Sequence, residues 1–176
     1  MPREVLDAMV DSANHFVDVD DLNLRAGAYI ADLANAEAAM VTAGCAAAQL
    51  LQAAACIAGR DREKMLQLPD TTGMRNEIII QKIQRNKYDV AFRGAGAKLV
   101  EIGSESKTTI EDLELAIGPG TAAVAFVWVM RFNGLSLEDV IETSHARGVP
   151  VIMDAAAELP PVDNLSRFIS MGVDMV

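Results

Sequence analysis

"GVPVIMDAAAELPP", residues 148–161, decides the fold. A glycine turn opens it, Val149 to Met153 have the character of a short buried strand, and the run closes on a lone carboxylate, Asp154. A charge at the end of an apolar strand is costly unless something pairs with it. Just upstream, Ser136 with Asp139 caps a helix that runs to Gly148. Helix followed directly by a buried strand is the repeating unit of a parallel sheet.

Moving outward, the same alternation recurs. "AAVAFVWV" (122–129) is a strand, preceded by "IEDLELAI" with a capping-box pattern at Thr108 and Glu111. "AKLVEI" (97–102) and "EIII" (77–80) are strands, separated by a helical stretch over about 83–94. "AAMVT" (38–42) reads as a short buried strand meeting Gly44, then an alanine-rich helix over about 45–58 that stops at Gly59. Helices also fit Val5 to Ala13 and Leu22 to about Asn35. After Asp154, Asn164 caps a final short helix ending at Gly172, and "VDMV" (173–176) begins another strand. The longest irregular connection is 59–76, long enough to carry function.

These elements predict an α/β fold, a three-layer αβα arrangement with a mostly parallel sheet covered on both faces. An N-terminal helical segment, 1–37, precedes a domain over 38–176. Right-handed crossovers put every strand's C-terminal end on one edge, where ligands bind in such folds.

Composition narrows the partners. The 176 residues are 51% hydrophobic, 23% charged and 5% aromatic, a globular balance with a core of small aliphatic side chains. A formal net charge of −10 argues against nucleic acid and against an anionic membrane surface. No apolar run is long enough for a transmembrane helix, and the N-terminus lacks the apolar core of a signal peptide. Cys45 and Cys56 have no metal-spaced partners and read as free thiols in a reducing cytoplasm.

Three groups of residues carry candidate chemistry. In "VTAGCAAAQ" (41–49) the helix start at Gly44, Cys45 and Ala46 offers unpaired N–H groups to a phosphate, with Thr42 as a hydroxyl donor. Close helix–sheet packing would select the same small residues. Asp154 could grip a metal, an amine, a ribose hydroxyl or a protonated pyridine nitrogen, or it could cap the next segment. Arg75, Arg85, Arg93 and Tyr88 could face the edge and bind an anionic substrate, or form a solvated helix face. His15 and His145 follow or end helices, where a cation suits the dipole. No Cys–His or Ser–His–Asp set can be assembled. A generic nucleotide-binding domain would want a fuller glycine fingerprint than "TAGCAAA".

The order "TAGCAAA", "NEIIIQKIQRNKYDVAFRGAGAKLVEIG", "TTIEDLELAIGPGTAAVAF" and "LSLEDVIETSHARGVPVIMDAAAELPPVDNLSRFISMGVDMV" resembles the selenocysteine synthase-like (L-seryl-tRNA selenium transferase-like) group of pyridoxal-phosphate enzymes. Within it, the D-glucosaminate-6-phosphate ammonia-lyase-like branch is the one most resembled. The resemblance spans nearly the whole chain and implies part of the large domain of fold type I, the aspartate aminotransferase-like fold. It implies pyridoxal 5'-phosphate as cofactor, with Gly44, Cys45 and Ala46 at its phosphate and Asp154 at its pyridine nitrogen. A carboxylate there keeps the nitrogen protonated, so that the ring can accept electrons. Residues 84–88 match the region near the ring face, with Arg85 and Tyr88 toward the substrate. Members of the group often carry His where this chain has Gln84.

In that fold the Schiff-base lysine lies after the aspartate, beyond one more strand. Lys64, Lys82, Lys87, Lys98 and Lys107 all precede Asp154, so the resemblance assigns no catalytic residue within this chain. The expected parent is a lyase or transferase performing elimination or replacement on an amino acid or amino-sugar acid. The acidic charge favours a small-molecule amine over a tRNA. As a part of the large domain without the small domain, the chain itself is expected to be inactive alone. The alternative is an inactive remnant serving as a binding or assembly module. An open sheet edge would favour a homo-oligomer.

Overall fold

The computed structural model describes residues 1–132 and 134–176. The chain divides into two compact units, Met1–Val41 and Thr42–Val176.

The first unit holds two helices, α1 (Arg3–Ser12) and α2 (Val19–Ala34). Asp18 caps α2 by accepting from the Asp21 N–H, and Asn35 closes it in the left-handed region at φ 51°. Gly27 lets the returning chain lie against α2: a Cβ there would sit 2.1 Å from the Ala39 carbonyl oxygen. The strand expected over 38–42 does not form. The Asn23 side chain takes both backbone groups of Val41, donating to its carbonyl and accepting from its N–H, each at 3.2 Å. A side chain has thus replaced the sheet neighbour that an apolar run would otherwise seek.

The second unit contains α3 (Cys45–Ala58), α4 (Arg62–Gln67), β1 (Glu77–Gln81), α5 (Val90–Gly94), β2 (Lys98–Ile102), α6 (Ile110–Ala116), β3 (Thr121–Val127), α7 (Leu137–His145), β4 (Val151–Asp154) and α8 (Asn164–Ser170). All strand pairs are parallel, in the order β2-β1-β3-β4. From β1 the chain steps one way to β2, then crosses back to β3 and onward to β4. With right-handed crossovers, that reversal sends α5 to one face and α6 and α7 to the other. Two cores result. Ile79, Val124, Phe126 and Met153 pack with Leu113, Leu137 and Phe168 on the α6–α7–α8 face. Ile78, Ile80, Ala123, Ala125 and Ile152 pack with Ala53, Ile57 and Phe92 on the α3–α5 face. The alanines of α3 and β3 are what allow that close second contact, as the aromatic-poor composition implied.

Several boundaries shift from expectation. The stretch 83–94 contains two 3-10 turns and only the short α5, because Asn86 caps a new turn at Tyr88 instead of continuing a helix. The capping box lies one residue later than expected, at Thr109 and Asp112. Thr108 is buried instead. Asp163 precedes α8 without a side-chain cap, and Asn164 donates to the Glu158 carbonyl oxygen at 2.7 Å. Residues 173–176 contribute one isolated parallel bridge, Ile152 to Met175. The connection 59–76 holds α4, capped by Asp61. Ser136 caps α7 as its sequence suggested.

Candidate functional site

The parallel sheet brings the carboxyl ends of β1, β3 and β4 to one edge, with Val127 and Asp154 in register as the last residues of β3 and β4. Strand alternation turns Ile152 toward the α3 face and Met153 toward the other, so Asp154 faces α3. There its carboxylate meets three donors. The Gln49 amide donates to Oδ2 at 2.5 Å, the Cys45 thiol to Oδ1 at 3.4 Å, and the Ala156 N–H to Oδ1 at 3.0 Å. Gln49 stands one turn after Cys45 and therefore shares its side of α3. Its side chain is 3% exposed, so its amide is held in place, and its Oε1 has no partner among the described residues.

Gly44 opens α3 at φ 99° and ψ 173°, in a region that L side chains rarely adopt. Its carbonyl accepts from Ala47 and Ala48, while the N–H groups of Cys45 and Ala46 have no acceptor among the described residues. Thr42 donates its hydroxyl to the same carbonyl at 3.1 Å, which ties the entering chain to the helix start. Cys45 thus joins two features: its N–H belongs to the open helix start and its Sγ touches Asp154. Burial, then the Asp154 charge and hydrogen bond, push the Cys45 thiol up to about 11, against a smaller opposing effect of Gln49. Cys56 is pushed up to about 12, by burial first and Asp174 second.

Bound pyridoxal phosphate presents a phosphate that suits an anion cradle and a ring nitrogen that a neighbouring carboxylate keeps protonated. The paired N–H groups at Cys45 and Ala46, the absent side chain at Gly44 and the oriented carboxylate of Asp154 form a donor and acceptor set that fits this group. Among the described residues no cluster of His, Cys, Asp and Glu could hold a metal ion.

The other expected site residues gather after β1. Gln84 is fully buried, and its Oε1 accepts the Val127 N–H at 2.9 Å, so it clamps the end of β3. Gln81 does the same for the Leu135 N–H at 2.7 Å. Each keeps an Nε2 without a partner among the described residues. Arg85 donates to Asp89 at 2.5 Å and also contacts Glu101; the bond to Asp89 is the main cause that holds its guanidinium above the ordinary range. Tyr88 is exposed, with the Lys87 ammonium 5.1 Å from its ring centroid. Arg93 lies 3.7 Å from Asp89, and His145 meets Asp174 at 2.8 Å. The structure therefore brings Gly44, Cys45, Ala46 and Asp154 together, with Thr42 beside them. No contact among the described residues links Arg85 or Tyr88 to Asp154. Gln49 was missed in the sequence; its spacing of four from Cys45 was the available signal.

The parallel α/β fold of this chain is that of fold type I pyridoxal-phosphate enzymes, over part of their longer chains. The structure of D-glucosaminate-6-phosphate ammonia-lyase superposes with a TM-score of 0.92 at 30% identity, over 98% of this chain and 48% of that one. An aspartate aminotransferase from Thermotoga maritima shares the fold at a TM-score of 0.55 and 15% identity, over 86% of this chain and 41% of that one. In sequence, the chain is 32% identical over 180 residues to D-glucosaminate-6-phosphate ammonia lyase of Salmonella typhimurium, covering 98% of this chain and 48% of that protein. It is 31% identical over 185 residues to 5'-C-glycyluridine monooxygenase-decarboxylase of a Streptomyces species, covering 98% and 44%. L-seryl-tRNA(Sec) selenium transferase of Moorella thermoacetica matches at 33% over 135 residues, covering 70% and 25%. The resemblance to the selenocysteine synthase-like group therefore holds. The chain spans about half the length of the first two of these relatives. No family model matches it. Among the described residues, no helix is long and apolar enough to cross a membrane.

Proposed function

We propose that this chain is the cofactor-binding part of a pyridoxal-phosphate-dependent lyase or transferase acting on a small amine, an amino acid or amino-sugar acid. The observation that carries this reading is the contact of Asp154 with the first residue of the open helix α3, on the carboxyl edge of the sheet. When bound, the cofactor supplies an electron sink for a carbanion at the substrate carbon. The chain's own residues do the rest of what can be assigned. The Cys45 and Ala46 N–H groups hold the phosphate, helped by the helix dipole. Asp154 keeps a proton on the pyridine nitrogen by placing a negative charge beside it. Gln49 fixes the orientation of that carboxylate from the buried side. None of the five lysines is assigned as the covalent anchor, since each precedes Asp154 in the chain.

Calorimetric titration with pyridoxal phosphate tests this. Saturable binding that Asp154→Ala weakens by about tenfold or more is expected, the scale of one charge-assisted hydrogen bond. Equal affinity in the variant, or no binding by the wild-type chain, refutes the assignment. Self-association belongs to the same reading and is supported by the exposed Val5, Leu6, Met9 and Val10 of α1.

A further inference from the structure

The carboxyl end of β3 outruns its neighbour in the sheet. β1 pairs with β3 only as far as Ile80 and Ala125, and after Gln81 the chain leaves the sheet in a 3-10 turn, Lys82–Gln84. β3 runs on to Val127, whose register partner on β4 is Asp154. Val124 donates its N–H to the Pro150 carbonyl, on the β4 side, at 2.9 Å. Backbone donors alternate sides along a strand, so Val127, three residues on, turns its N–H toward the place that β1 has vacated. The Gln84 amide oxygen stands there and accepts that N–H at 2.9 Å. A side chain thus adds the rung that the backbone of β1 does not supply.

That rung lies at the level of the site. On its other side β4 has only the isolated bridge from Ile152 to Met175, where Met153 donates to the Met175 carbonyl at 2.8 Å. Among the described residues, β3 is therefore the one strand that pairs with Asp154. Where the end of β3 sits decides where the Asp154 backbone sits. The Gln84 side chain is fully buried, and its turn is anchored on the far side by the tie of Arg85 to Asp89 and Glu101. Its Nε2 has no acceptor among the described residues. Orphaning a buried donor is costly, so the favourable contact of this amide is the one its oxygen makes. An apolar side chain of the same size would remove the orphan donor and leave the Val127 N–H unpaired instead.

We propose that Gln84 is a positioning residue for Asp154: by completing the ladder at Val127 it fixes the end of β3, and with it the height at which the carboxylate meets a ring nitrogen. This rests on the functional reading above and adds to it a residue that acts through β3 without touching the cofactor. Asp154 then has two supports, Gln49 on its carboxylate and Gln84, through β3, on its backbone. Gln81 is the internal control. It is buried in the same way, but its oxygen accepts from Leu135, beyond the paired part of β3.

Gln84→Met keeps the volume and removes the acceptor, and two readouts need no cofactor. In hydrogen exchange followed by NMR, the Val127 amide is expected among the protected amides of the wild-type chain. It should exchange about fivefold faster or more in Gln84→Met, the scale of one hydrogen bond. Alkylation of Cys45 by iodoacetamide at pH 8 reports whether the Asp154 carboxylate still lies against the thiol, and it should accelerate in Gln84→Met. In an Asp154→Asn background the same substitution should add nothing further, because the path runs through the carboxylate. Gln81→Met should leave the Cys45 rate at its wild-type value. An unprotected Val127 amide in the wild-type chain, a wild-type Cys45 rate in Gln84→Met, an effect that persists with Asp154→Asn, or an equal acceleration in Gln81→Met overturns the proposal. The wild-type exchange measurement stands whether or not Gln84→Met folds. Calorimetry with pyridoxal phosphate separates the two readings: affinity should fall in Gln84→Met, by less than in Asp154→Ala. No binding by the wild-type chain would sink the cofactor reading alone, and cofactor binding with the exchange and alkylation rates unmoved would sink the positioning role alone.

Discussion

The thiol of Cys45 offers a direct chemical test of the site, because its reactivity depends on the contact with Asp154. The thiolate is the reactive form. With a pKa of about 11, Cys45 is about 0.1% thiolate at pH 8, whereas an ordinary thiol near 9 is about 10% ionised. Alkylation by iodoacetamide at pH 8 should therefore run roughly 100-fold slower than for a free cysteine. Burial is the largest cause and the charge of Asp154 the next. Asp154→Asn removes the charge and leaves the burial, so it should accelerate alkylation without reaching the free-thiol rate. Peptide mapping by mass spectrometry separates Cys45 from Cys56, whose thiol at about 12 should stay the slower of the two in both proteins. The direction for stability follows from the same shift. Between about pH 9 and 11 the native chain holds a proton on Cys45 that the unfolded chain has released. Stability should therefore fall as pH rises through that window. A wild-type Cys45 that reacts like a free thiol at pH 8, or one unchanged by Asp154→Asn, would refute the contact on which the site is built.

Two further outcomes follow from single residues. Gly44→Ala should cost about 1–3 kcal/mol in urea unfolding, the scale of a strained backbone conformation, with no steric part because a Cβ there meets nothing within 4 Å. The same variant should weaken pyridoxal phosphate binding, and wild-type behaviour in both assays would contradict the role of the helix start. Thr109→Ala should cost about 0.5–2 kcal/mol through loss of the α6 cap, and an unchanged unfolding midpoint would move the capping box elsewhere.

Much of the layered fold was legible because its strands are contiguous apolar runs bounded by glycines and caps. The run from Val149 to Asp154 is the clearest case, and Ser136 with Asp139 marked the helix before it. Residues 38–42 show where that signal fails: the same apolar composition stays out of the sheet because Asn23, distant in sequence, takes both backbone groups of Val41. The capping box slipped by one residue because two adjacent threonines offered near-equal patterns, and only burial of Thr108 chose between them. At the site, the sequence by itself determined the parts: a glycine-started helix of tiny residues and a strand that ends in an acid. Only the tertiary structure decided that Cys45 and Gln49 converge on Asp154 and that Gln84 is buried as a clamp on β3. Local propensities act over a few residues and are written in order along the chain. Contacts between distant residues depend on strand order and on which face each helix covers, and the reversal between β1 and β3 settled both.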